Sequence, residues 1–99
     1  MHITVLSKIT LYSGEKGRKT AIVSGYQPLF NFADAPTIIS GNIDLMETPE
    51  LKPGMSAVVS INFLKGFISE KYFVAGERFT FAESLQALGE GEIMQVTIQ

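Results

Sequence analysis

The chain has 99 residues, a formal net charge of −2 and 18% charged residues, which fits one domain over 1–99 and disfavours a strongly basic nucleic-acid binder. Its 45% hydrophobic content, with seven phenylalanines and three tyrosines, supplies a core and argues against disorder. There is no cysteine, so disulfides, thiolate metal sites and a cysteine nucleophile are excluded.

The hydrophobic pattern has period two more often than 3.6, the mark of strands. Ile3 and Val5, then Ile9 and Leu11, predict a first strand with a bulge near Leu6-Ser7. Ser13 to Gly17 reads as a turn or short loop. Thr20 to Val23 predicts a second strand, interrupted by Gly25-Tyr26-Gln27-Pro28 because proline cannot donate to a central ladder. Leu29 to Ala33 is a short extended piece with Phe30 and Phe32 on one side. Thr37 to Leu45 is β-rich, and its Gly41 suits a bulge or sharp bend.

Met46 to Gly54 reads as a loop ending in a Pro-Gly turn. Met55 to Leu64 predicts a strand with Val59, Ile61 and Phe63 on one face. Lys65 to Gly76 is expected to be a long connection containing a short strand. Arg78 to Glu83 predicts a strand with Phe79 and Phe81 on one face. Glu83 to Leu88 is the best helical candidate, one turn at most, and Gly89-Glu90-Gly91 reads as a tight turn. Glu92 to Gln99 closes the chain with its alternation partly kept. Short strands separated by turns predict an all-β sandwich or barrel.

Residues that carry chemistry are scarce. His2 is the only histidine and sits at a terminus. With no cysteine and one histidine, only an all-oxygen metal site would be open, and no Asp-rich calcium loop is present. The segment Gly14 to Thr20 resembles a phosphate loop only superficially. Arg18 stands where glycine must precede Lys-Thr, and a strand-like run follows where a helix is needed. Gly89-Glu90-Gly91 lacks the third glycine of a dinucleotide motif. Glu90 and Glu92 fall on one face of a strand and read as an acidic edge rather than a glycosidase pair. The expectation is a non-enzyme with no cofactor, no metal and no bound nucleotide. No apolar run approaches the roughly 18 residues that cross a bilayer, and no basic segment leads an apolar run at the start, so a cytoplasmic location is expected.

Charge is uneven along the chain. Residues 1–33 set Lys8, Lys16, Arg18 and Lys19 against Glu15 alone. Residues 34–64 set Lys52 against Asp34, Asp44, Glu47 and Glu50, and residues 65–99 carry two more acids than bases. A small basic face on an acidic body follows.

Gly17-Arg18-Lys19-Thr20 followed by Gly25-Tyr26-Gln27-Pro28-Leu29-Phe30-Asn31-Phe32 resembles the C-terminal domain of elongation factor Tu, with its Gly-Arg-x-Thr loop and Gly-Tyr-Arg-Pro-x-Phe-x-Phe segment. Gly41-Asn42-Ile43-Asp44-Leu45, Pro53-Gly54, Arg78-Phe79, Glu83, Gly89 and Gly91 continue the likeness, which covers residues 8 to 98. The resemblance implies a closed six-stranded antiparallel β-barrel, here without the GTPase domain. In that family the domain helps hold the T-arm of aminoacyl-tRNA, faces the GTPase domain and contacts the exchange factor. Three departures stand out. Gln27 and Ala33 replace arginines of the family, which weakens phosphate contacts, and the stretch from Leu64 to Glu77 is longer and lacks the family's His-Pro.

Two surfaces follow. Phe67, Ile68, Tyr72 and Phe73 form a candidate protein-interaction surface, with a cap on the barrel core as the alternative. Lys16, Arg18, Lys19, Tyr26 and Gln27 form a candidate partner or RNA surface, in which Tyr26 either stacks on a base or packs. A protein partner is expected ahead of RNA, and no membrane.

Overall fold

The computed structural model describes residues 2–15, 17–32, 38–64 and 70–98. Six strands, β1 (His2–Leu11), β2 (Leu29–Phe32), β3 (Ile39–Leu45), β4 (Ser56–Leu64), β5 (Arg78–Ala82) and β6 (Ala87–Ile98), close into an antiparallel barrel in the order β1-β4-β3-β2-β5-β6. The expected fold class is therefore the one observed. Closure also removes the exposed edges that invite strand pairing.

The alternation read from the sequence sets which side chains fill the barrel. Phe30 and Phe32 on β2, Val59, Ile61 and Phe63 on β4, and Phe79 and Phe81 on β5 are all buried. The phenylalanine rings meet edge-on, with Phe30 and Phe63 centroids 5.0 Å apart and Phe30 and Phe79 5.5 Å apart. So many rings need small residues opposite them. Gly41 pairs with Phe63, Gly89 with Phe81 and Gly91 with Phe79. A Cβ added at Gly41 would lie 2.8 Å from the Phe63 ring and 2.9 Å from that of Phe30. Gly41 thus gives room within a regular strand rather than a bulge.

β1 has the expected irregularity at Leu6-Ser7, in its ladder with β6. It pairs with β4 without a break from His2↔Leu64 to Thr10↔Ser56. Ser7 simply takes an inward place and is wholly buried. The extra residue lies across from it on β6: Leu6 pairs with Gln95 and Ser7 with Ile93, which leaves Met94 over. This explains the imperfect alternation of the last strand.

Four further expectations differ. Thr20 to Val23 does not form a strand; Ile22 alone makes an isolated bridge, to Leu51. Gly89 to Gly91 lies inside β6, which starts at Ala87. Residues 83–86 form an irregular turn, with no helical turn. The described part of the 65–76 connection holds a single 3₁₀ turn, Glu70–Tyr72, and no strand.

The strand order explains the first and the last of these. In the ring of six, β1 and β2 are three places apart, and so are β4 and β5. The two connections that join them must therefore cross the barrel mouths instead of running along the wall. We call the mouth where β1, β3 and β5 end the upper one. There Leu11, Ile22 and Leu51 are buried as a plug. At the lower mouth Tyr72 and Phe73 fill the same role. Phe73 lies 5.5 Å from the Phe32 ring and 5.2 Å from that of Phe63.

Candidate functional site

The 12–28 connection enters the upper mouth from β1 and is fixed at Tyr12, whose N–H donates to the Leu88 carbonyl at 2.9 Å. Its second half is held to β3 and the 46–55 loop. Ile22 and Leu51 exchange two backbone hydrogen bonds at 2.9 Å, Gly25 N–H donates to Ile43 at 2.9 Å, and Ile43 N–H donates to Tyr26 at 2.8 Å. The Ser24 hydroxyl accepts from Leu45 N–H at 2.8 Å. These bonds fix the Tyr26 backbone, and the ring packs on the edge of the core.

On the other side of the mouth stands the β5–β6 turn, and Glu83 opens it. Its Oε1 accepts a 2.7 Å hydrogen bond from the Tyr26 hydroxyl and is ion-paired with the Arg18 guanidinium. Arg18 in turn lies over the Tyr26 ring, 5.0 Å from its centroid, and donates through Nε to the Thr20 carbonyl at 3.1 Å. The two halves of the 12–28 connection thus meet the β5–β6 turn at one carboxylate. Burial, the hydrogen bond to Glu83 and the Glu83 charge push the Tyr26 hydroxyl well above its ordinary value, while Arg18 pulls the other way. An exposed ion pair contributes about 0.2–1 kcal/mol, and the hydrogen bond from the Tyr26 hydroxyl to the charged carboxylate roughly 1 kcal/mol more, since solvent reaches it.

The structure brings Arg18 and Tyr26 of the candidate RNA surface into contact. It leaves Lys19 and Gln27 exposed nearby, Lys19 with no ion pair among the described residues. Lys16 lies outside the described residues. Of the candidate protein-interaction surface, Phe67 and Ile68 lie outside the described residues, and Tyr72 and Phe73 are a correction. They are 7% and 5% exposed and plug the lower mouth, because a chain crossing from β4 to β5 must cover the phenylalanine core it passes.

Sequence reading missed the role of Glu83, which entered only as a matched position. Its partners are 57 and 65 residues away, and no local spacing signals that meeting. It also missed Leu85 at the tip of the same turn, which is 103% exposed. Val23 and Met46, at 56% and 60%, belong to the same mouth.

A second feature lies on the outer wall. Lys8, Thr10, Arg78, Glu90, Glu92 and Met94 line a shallow groove of about 350 Å³. Its charges are cross-strand neighbours, Lys8 and Arg78 each facing Glu92 in register. Glu90 accepts a 2.9 Å hydrogen bond from the Tyr12 hydroxyl. This is the pattern of a wall ladder. Among the described residues no three His, Cys, Asp or Glu side chains are grouped to hold a metal ion. No helix among them is long and apolar enough to cross a membrane. No protein-family model matches the chain.

Proposed function

We propose that this chain is a non-enzymatic, cytoplasmic protein-binding module built on a barrel of the elongation factor Tu C-terminal type, engaging translation factors or their inhibitors. The observation that carries this reading is the state of Arg18. It is the cation that matches the family's Gly-Arg-x-Thr loop, and here Glu83 neutralises it while Tyr26 covers its face. A phosphate would have to displace both. The same mouth offers Leu85, Met46 and Val23 to a partner, and exposed apolar side chains are what protein interfaces use.

The alternative is a tRNA- or RNA-binding accessory domain that uses the loop from Lys16 to Lys19. Exposed Lys19, with no ion pair among the described residues, stands beside Arg18 and favours it. One pair of measurements separates the two. Purified barrel is titrated against purified elongation factor Tu and its exchange factor by calorimetry, and against tRNA by filter binding at low salt. The protein-binding reading expects association with a protein and no salt-dependent retention of tRNA. Retention of tRNA that falls with added salt, with neither protein bound, overturns it in favour of RNA.

A further inference from the structure

We infer that the loop between Tyr12 and Ile22 is a latch that opens apart from the barrel, with the Glu83 carboxylate as its catch. The two halves of the crossing connection are held in different ways. Residues 22–28 bury Ile22 and are bonded by backbone groups to the 46–55 loop and to β3. Among the described residues of 13–21 none is a buried apolar side chain, and the backbone hydrogen bond found there, Gly17 N–H to Gly14 at 3.3 Å, is internal to the loop. What ties this half to the β5–β6 side is Arg18, through Glu83 and the Tyr26 ring.

Both hinges are fixed. Tyr12 is bonded to Leu88 through its N–H and to Glu90 through its hydroxyl. Ile22 is bonded to Leu51. No strand ladder of the barrel uses the described residues of 13–21, so release there leaves every described strand pair intact. Segments with few buried apolar contacts open locally with their own, smaller free energies. The catch is half exposed, with 48% of the Glu83 side chain accessible, so dissolved ions compete for it. Opening separates Arg18 from Glu83 and turns a neutral pair into two free, opposite charges at the mouth. The latch therefore gives that mouth two distinct faces to present.

Amide exchange read by mass spectrometry, with trypsin cleavage after Lys19 as a second reporter, tests this on the full chain. Glu83→Gln should speed trypsin cleavage after Lys19 and exchange of the Gly17 amide by a few-fold, the weight of an exposed ion pair, with β1 and β6 amides unchanged. Tyr26→Phe, which keeps the ion pair, should give a smaller rise. The reciprocal exchange of Arg18→Glu with Glu83→Arg should restore slow exchange, and molar salt should open the wild-type loop. Unchanged cleavage after Lys19 and unchanged Gly17 exchange in Glu83→Gln, or acceleration that spreads equally to the strands, overturns the latch.

Discussion

Gly91 lies directly across the β5–β6 ladder from Phe79, and a Cβ placed on it would fall 2.5 Å from the tip of that ring. Ile9 closes the other side at 2.8 Å. Gly91→Ala should therefore destabilise the barrel by about 1–3 kcal/mol through overpacking. Shortening the ring with Phe79→Leu in the same chain should recover part of that loss. Urea denaturation of the two variants and their combination measures it, and additive losses would mean that the two residues do not compete for one space.

Ser7 makes the opposite case. It is fully buried, and its hydroxyl has no hydrogen-bond partner among the described residues. A buried hydroxyl without a partner costs about 1–3 kcal/mol. Ser7→Ala should leave the barrel as stable or raise its stability by roughly 1 kcal/mol. A drop in thermal midpoint for this variant would show that the hydroxyl is bonded in solution.

Phe73 is a plug, so its loss should be felt in folding. Phe73→Ala should destabilise by about 3–5 kcal/mol, the usual range for a buried aromatic. A variant that keeps its midpoint in guanidinium would return Phe73 to the surface role expected from sequence.

Leu85 should behave in reverse. At 103% exposure it packs on nothing that folding needs. Leu85→Asp should shift stability by no more than about 0.5 kcal/mol and should lower affinity for the protein partner proposed above. Equal affinity of wild type and variant in calorimetry would remove Leu85 from that interface.

Tyr26 ties stability to alkaline pH. Its hydroxyl ionises above the ordinary 10.0 in the folded chain, because of burial first and then Glu83. The folded state thus holds this proton more tightly than the unfolded one. The contribution is fully present below pH 10.0 and declines as pH rises through and beyond that value. Tyr12, raised by burial and by Glu90, acts in the same direction. Ultraviolet titration of tyrosinate should show delayed ionisation, and Glu83→Gln should bring part of it back toward the ordinary value. A tyrosine absorbance that rises as one step centred at 10.0 would refute the hydrogen bond between Tyr26 and Glu83.

Period-two alternation made the long strands legible, because inward positions such as Val59, Ile61 and Phe63 must be apolar for the barrel to close. It failed where the chain leaves the wall. Thr20 to Val23 has strand composition, yet only Ile22 pairs, since the connection must cross from β1 to the opposite side. Gly89 and Gly91 resembled a turn because a glycine facing a phenylalanine across a ladder looks, in one dimension, like a break. The meeting of Arg18, Tyr26 and Glu83 was illegible for a different reason. It depends on which strands become neighbours around a closed ring, and local sequence does not encode that.

The pairing of β1 with β6 brings Ile3 opposite Ile98. The start of β1 and the end of β6 therefore lie side by side at the lower mouth. A barrel wired in this way can be spliced into a surface loop of another polypeptide, or its ends joined and new ones cut in the 83–86 turn, without disturbing the wall. In the spliced arrangement the mouth that carries Arg18 and Glu83 points away from the attachment, whereas in the permuted one that mouth carries the new ends.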